Sequence, residues 1–565
     1  MKKLLVLAVV LVLFMGFFAA NPLSKVANAA ESQSHLKTIE IWPGKTIGMV
    51  NGDVVYLDQP PVIINGRTMV PIRFIADTFG AKTSWNDKTK EVTIELLGKK
   101  IVLKVNSPSA SVNDKAVSLD SPATIIKSTG RTVVPVRFVS ETFNSHVSWD
   151  DQTKAAIIEF SPDWLTKNVT VELYYPVASG APIAKIIQGY INDFNKEYPY
   201  ITIKPVFSGG YTDVKTAIQT TISGGGKPPA LAVMLSTDLY DLVNGDIVIP
   251  LDSYFNTMPT GKNYLADFFP AFLANSYYNG KLWSIPFQRS IVVLYYNADL
   301  LQQAGLNPPD SWESLATTAQ KLTIPGKRWG IKISSDWPYW LFQPLAIGNG
   351  QNIFNSPTDM QFNNPKVIEA VQYYIDLSHK YHAMPEGVQA SWNTDPGDFA
   401  KGAAAMIFHS TANLTTILSQ ANFKVGVMPI PGSTKGTYAT VPGGGNLYII
   451  KGAPVEEQDA AWVFIKFVTQ TKYAADFSIQ TGYIASRKSA YETDAMKAYV
   501  AKVPQALTIR DSLKYAGAEF YSVNLGQVRN IFHKYLQAAF NGQMTPKEAM
   551  DKAEAEAQKV IKGGD

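Results

Sequence analysis

The 565-residue chain has no cysteine and six histidines. Disulfides, thiolate metal sites and cysteine nucleophiles are thereby removed, and a histidine-rich metal centre is short of ligands. His379 and His382 stand three apart on an expected helix and can reach one ion together, but no third ligand stands beside them. A solvated helix face is the plainer reading. No Gly-x-Ser-x-Gly elbow occurs, and Asp310 and Glu313 are accounted for as a capping box opening a helix to Leu322. A glycoside hydrolase needs two carboxylates about 5–10 Å apart, a spacing that sequence does not test. The chemistry on offer is aromatic instead. With 27 Tyr, 27 Phe and 11 Trp, the chain can stack rings on a ligand. Trp337 and Trp340, in Ser335-Asp-Trp-Pro-Tyr-Trp340, can lay their faces on sugar C–H groups and donate indole N–H to hydroxyls; the other reading is lobe core. These residue types bind without turnover, so no enzyme activity, cofactor or metal is expected.

The elements that must position such residues begin with an address. Met1-Lys2-Lys3 is a positive segment, residues 4–20 are an almost unbroken apolar run, and Ala27-Asn28-Ala29 is a small-x-small cleavage pattern. Residues 1–30 are therefore expected to be a signal peptide and the protein exported, extracellular or envelope-associated; the alternative is an uncleaved N-terminal anchor. Without cysteine a lipoprotein anchor is chemically excluded. Lys+Arg is 51 and Asp+Glu 47, a formal net charge of +4, which argues against nucleic acid as a partner. At 46% hydrophobic and 17% charged residues the chain can bury a large core.

Two segments, starting at Val50 and Val112, repeat one another. From Gly66 onward the offset is a constant 64: Gly66 with Gly130, Pro71 with Pro135, Arg73 with Arg137, Phe79 with Phe143, Trp85 with Trp149. Two copies are too few for a solenoid, so a pseudo-symmetric pair sharing one core is expected. Each copy reads as strand, turn, short helix (71–79 and 135–143), turn and strand (91–97 and 155–160). Trp85 and Trp149 are expected as core anchors, and Arg73 and Arg137 as partners of buried carboxylates or as ligands, the structural role being favoured.

Beyond the break at Ser161-Pro162-Asp163-Trp164, strands alternate with helices: strand 169–175, helix 182–198, strand 201–207. The pattern predicts α/β layers with mostly parallel sheets, ligands sitting beyond strand ends near helix N-termini. Thr545-Pro546-Lys-Glu548 is a capping box with proline at the first helical position. Trp462, Phe464 and Phe467 read as helix core.

The chain carries two resemblances. The doubled Val-Pro-x-Arg-Phe…Ser-Trp-x-x-x-Thr-Lys pattern is similar to the copper amine oxidase-like N-terminal domain, over residues 31–160; the oxidase itself is not implied, since no His-x-His and no quinone-forming tyrosine setting occur. Residues 165–565 resemble the family 1 extracellular solute-binding proteins of ABC importers. The likeness rests on ordered phrases: Gly226-Lys-Pro-Pro-Ala230, Ile249-Pro-Leu-Asp252, Gly280-Lys-Leu-Trp-Ser-Ile-Pro286, Leu294-Tyr-Tyr-Asn297, Pro308-Pro-Asp-Ser-Trp-Glu313, Phe399-Ala-Lys-Gly402 and Val427-Met-Pro429. Within that family the glycerol-3-phosphate-binding branch is nearest, through Gln480-Thr-Gly-Tyr-Ile484, Gly526-Gln-Val-Arg529 and Gly542-Gln-Met-Thr-Pro546.

The resemblance implies an α/β, two-lobed periplasmic-binding-protein-like (type II) fold behind a small α+β repeat domain, with hinges near 284–290 and 430–445. It implies ligand contacts at Tyr211, Ser290, Ser410, Gly444, Tyr483 and Arg529, beside Trp337 and Trp340. The family glutamate that accepts a ligand hydroxyl falls near Ser236, a shorter, uncharged residue, which puts glycerol phosphate itself in doubt. The implied function is capture of a sugar or glycerol-3-phosphate-like solute and its delivery to membrane permease subunits by a monomer, the repeat domain holding to the cell wall. The alternative is a cell-wall-associated sensor without a transport role.

Overall fold

A computed structural model describes residues 34–563 except 152, 166, 257, 259 and 260. The expected signal peptide lies outside the described residues.

The repeat module runs from the strand Lys37–Ile41 to the strand Ala155–Phe160, and these two pair antiparallel, closing the module on itself. Its two five-stranded sheets flank a four-stranded one in which Arg67–Pro71 lies against Arg131–Pro135. The register places Val70 opposite Val134, its own counterpart in the second copy, so a pseudo-twofold axis passes between them. Ile75, Phe79, Val139, Phe143 and Phe160 share one core, as the repeat predicts. The helices are Ile72–Phe79 and Val136–Thr142. Two expectations are corrected. Trp85 and Trp149 are each 42% exposed and anchor no core: they sit on edge strands, paired across to the buried Val92 and Ala156, where the core face of each sheet runs out into solvent. Arg73 and Arg137 are exposed as well, not partners of buried carboxylates.

The rest forms two lobes, each with its own core. In the first, Ile201–Phe207, Val169–Tyr175 and Leu231–Leu235 pair in parallel. The sheet then turns antiparallel, through Pro442–Ile449 to Ile285–Asn297. These two strands cross between the lobes. Ile285 and Phe287 fill the first core while Val292 and Leu294 fill the second; Leu447 and Val441 divide likewise. The triple glycine 443–445 is thus part of a strand. Trp462, Phe464 and Phe467 are core.

Capping differs from the sequence reading at one helix. Ser311, not Asp310, caps Trp312–Leu322, its Oγ accepting from the Ser314 amide at 3.2 Å. Thr545 caps Pro546–Lys562 as expected, accepting from the Glu548 amide. The helix Pro365–His379 ends at His379, leaving His382 beyond it with φ 48°.

The repeat module docks on the first lobe. Trp164 is fully buried and donates Nε1–H to the Glu456 carbonyl at 3.0 Å. His146 stacks on Tyr198 with ring centres 4.3 Å apart, Lys466 pairs with Glu159, and Asp459 accepts from the Ser34 hydroxyl and the His35 amide.

Candidate ligand site between the lobes

The parallel strands of the first lobe end at Tyr175, Phe207 and Leu235. The residues just past them face the interlobe seam, where such sheets place their ligands. Ser236 comes directly after Leu235. Tyr211 opens the helix Tyr211–Ser223 after Gly209, whose φ of 85° makes the turn. The Asp213 carboxylate accepts the Gly210 amide at 2.7 Å and so satisfies a free N–H at that helix end.

A polar chain links these strand ends to the hinge. Tyr175 donates its hydroxyl to Gln288 Oε1, and Gln288 Nε2 donates to the Tyr211 oxygen. Burial pushes the Tyr211 phenol well above its ordinary range, with neighbouring Tyr483 adding, so both tyrosines act as neutral hydroxyls. Close approach accounts for the three hinge glycines. A Cβ on Gly443 would meet the Trp340 ring at 2.5 Å, one on Gly444 the Gln288 carbonyl at 2.1 Å, and one on Gly445 the Tyr211 ring at 2.8 Å. Rings from both lobes press on the same bare strand, and Gly444 also has φ +99°.

Next to this chain lies a buried charge cluster. Arg289, with no exposed surface, donates to the Gly444 carbonyl at 3.2 Å and to Asn275 Oδ1 at 3.3 Å. Its guanidinium is 3.7 Å from Glu519 Oε2. Glu519 is 2% exposed and accepts the Ser236 hydroxyl at 3.1 Å. The second lobe holds Glu519, since the flanking Ala518 carbonyl and Phe520 amide are both bonded by Gln343. One carboxylate therefore ties the lobes together. Its pKa is pushed up to about 7; burial is the main cause, Asp238 adds, and Arg289, Ser236 and Arg529 oppose. Burial also pushes the Asp238 carboxyl up, against its ion pair with Lys215 at 3.0 Å.

Arg529 sits on Leu525–Phe540, its guanidinium 5.8 Å from the Tyr339 ring centre. Tyr339 in turn stacks on His533, whose imidazole is lowered to about 3, by burial first and by Arg529 second, and is neutral at physiological pH. The Arg529 Nη1 is buried and without a partner among the described residues. A cavity of about 420 Å³ opens between the lobes, with Ser236, Asn275, Tyr240 and Tyr278 on one side and Thr358 and Tyr521 on the other. Hydroxyls, an amide and phenol faces make it a lining for a hydroxylated solute.

Of the residues expected from sequence, Tyr211, Ser236, Gly444, Tyr483 and Arg529 gather at this seam. Ser290 is buried in the hinge, opposite Gly443. Ser410 spends its Oγ on the Ala412 amide at 3.2 Å. Trp340 is 6% exposed and donates Nε1–H to the Pro442 carbonyl at 2.7 Å, so that N–H is engaged within the protein. Trp337 is half-buried beside Trp392, which stacks on His409. Sequence reasoning missed Glu519, Arg289, Gln288 and Asn275. Gln288 and Arg289 stand inside the expected hinge at 284–290; nothing in the local pattern signals Glu519 or Asn275. Among the described residues no group of three or more His, Asp or Glu is placed to hold a metal ion.

The family described as "Bacterial extracellular solute-binding protein" matches residues 189–505, more than half of the chain. The chain belongs to this family. A second family, "Copper amine oxidase N-terminal domain", matches residues 37–158 of this solute-binding protein. Among curated relatives, the sn-glycerol-3-phosphate-binding periplasmic protein UgpB of Pectobacterium atrosepticum is 25% identical over 71% of this chain and 94% of its own. The Salmonella typhimurium protein of that name is 27% identical over 66% and 88%. Among solved structures, UgpB of Mycobacterium tuberculosis in complex with glycerophosphocholine matches with a TM-score of 0.63 at 23% identity, covering 70% of this chain and 98% of that one. The GacH receptor of Streptomyces glaucescens, solved unliganded and with acarbose, matches at 0.61 and 21% identity, covering 70% and 99%. The fold is thus the two-lobed one expected. The family is described as extracellular and solute-binding, and the UgpB relatives as periplasmic binding proteins. No helix among the described residues is long and apolar enough to cross a membrane.

Proposed function

We propose that this solute-binding protein captures a small hydroxylated solute, glycosyl or glycerophosphoryl, between its lobes and hands it unchanged to the permease of an ABC importer. The carrying observation is the meeting of opposed polar groups at one seam: Tyr211 and Ser236 from the first lobe, Glu519 and Arg529 from the second, with Arg529 Nη1 unpaired. A guanidinium fork suits a phosphate or vicinal hydroxyls, and a carboxylate suits a hydroxyl hydrogen. A carboxylate at Glu519, reaching Ser236 from the second lobe, supports this reading, since it offers the acceptor that Ser236 lacks. Relatives named for glycerol 3-phosphate and a structural neighbour holding glycerophosphocholine support the same chemistry.

The test is calorimetry and thermal shift on a chain beginning at Glu31, with sn-glycerol 3-phosphate, glycerophosphocholine and maltose. At 100 times its dissociation constant a bound solute adds about 2.7 kcal/mol of stability. Binding of at least one, lost in Arg529→Ala, is expected. Silence across all three, with chemical turnover of any, refutes the reading.

A further inference from the structure

The repeat module holds two grooves that the interlobe site does not use. The first, about 410 Å³, is lined by Arg67 of the first copy and by Arg137, Ser148 and Trp149 of the second. The second, about 340 Å³, is lined by Arg131 of the second copy and by Arg73, Ser84 and Trp85 of the first. Each of these four residues of one groove is the counterpart, 64 positions away, of one of the four in the other. The pseudo-twofold between Val70 and Val134 therefore builds one groove twice, each time from both copies.

Three features set these grooves apart from ordinary surface. The cross-copy wall is pinned by equivalent ion pairs, Arg67 to Asp120 at 2.9 Å and Arg131 to Asp58 at 2.8 Å. The two indoles have equal exposure and equivalent tethers: Trp149 Nε1–H donates to Asp151 Oδ1 at 3.1 Å, and Trp85 donates to the Asp87 carboxylate. Finally, Arg67, Arg73, Ser84 and Trp85 recur unchanged as Arg131, Arg137, Ser148 and Trp149, although none of the eight is buried. Exposed residues that packing does not constrain have nonetheless stayed the same in both copies.

We infer that the two grooves are paired carbohydrate subsites that grip a polysaccharide strand. An exposed tryptophan held in one orientation offers its face to sugar C–H groups, and serine and arginine offer donors to ring hydroxyls. The charges within the first groove balance, Arg67 and Arg137 against Asp120 and Glu141, which suits a hydroxyl-rich chain better than a polyanion. Two equivalent grooves on one rigid module suit a ligand that repeats, because the second contact is then intramolecular.

The test is co-sedimentation of the Glu31-onward chain with purified peptidoglycan sacculi, and titration of tryptophan fluorescence with chitohexaose. Wild type is expected to bind both. Trp85→Ala or Trp149→Ala alone should weaken retention on sacculi by at least tenfold, and the double variant should abolish it with an unchanged melting temperature. Arg73→Gln with Arg137→Gln is the companion, should removal of the indoles disturb folding, and should weaken both assays by at least tenfold. Failure of wild type to bind either glycan overturns the inference. So does retention that both double variants keep, or retention that added salt removes while the indoles are dispensable, which would mark an anion patch. None of these outcomes bears on the interlobe site, whose solute is measured separately.

Discussion

Glu519→Gln tests the link between the two lobes. An ordinary glutamate titrates near 4.5; at the interlobe seam burial pushes the Glu519 carboxyl up to about 7. A carboxyl whose folded pKa is raised contributes stability that is fully present below 4.5 and is lost as pH rises through about 7. At about 1.4 kcal/mol per pH unit the difference corresponds to about 3 kcal/mol, reduced by whatever relaxation accompanies ionisation. The groups facing Glu519 are Arg289, Arg529 and Ser236, which favour its charge, and Asp238, which opposes it. Glutamine keeps the shape and an acceptor for Ser236 but cannot ionise. Calorimetric melts of both proteins at pH 5, 6, 7 and 8 should show wild type losing stability relative to Glu519→Gln across that range, most steeply between pH 5 and 6, flattening through pH 7, with little further change above pH 8. Subtracting the variant cancels other groups in the window, notably Asp459, which burial raises to about 6. Parallel curves from pH 5 to 8 would refute the assignment of a buried, proton-sensitive tie between the lobes.

Gly444→Ala is expected to cost more than 2 kcal/mol in chemical denaturation, because the strand has φ +99° and the new methyl would lie 2.1 Å from the Gln288 carbonyl. Arg529→Lys should weaken solute binding at least tenfold by calorimetry while leaving the melting temperature of the unliganded protein within about 2 °C, since a point charge replaces a planar fork. Trp164→Ala empties a fully buried site at the junction of the repeat module and the first lobe, and frees the Glu456 carbonyl. It should cost about 3–5 kcal/mol and split one calorimetric transition into two.

Local pattern made much of the fold legible. The strands Val169–Tyr175, Ile201–Phe207 and Ala155–Phe160 fall where alternation predicts them, and the helix Pro182–Glu197 ends one residue before its expected stop. Periodicity does not reveal where along a sheet the core face runs out. Trp85 and Trp149 read as core because tryptophan is usually covered, yet both indoles stand half-open on their side of the sheet. Capping shows the same limit, since Asp310 and Ser311 are both competent caps and backbone geometry selected Ser311.

Sequence alone determined the repeat and its offset, the missing thiol chemistry and the ordered phrases that resemble a two-lobed binder, because each is a matter of residue type and spacing along the chain; Tyr211 and Arg529 were candidates through that resemblance. Only the tertiary structure decided that Glu519 meets Ser236, 283 positions earlier, that Arg289 is sealed beside them, and that each groove of the repeat module borrows a wall from the other copy. Such contacts arise from the closure of separate sheets and lobes on one another, and burial there sets the charge states. No stretch of chain encodes that burial by itself.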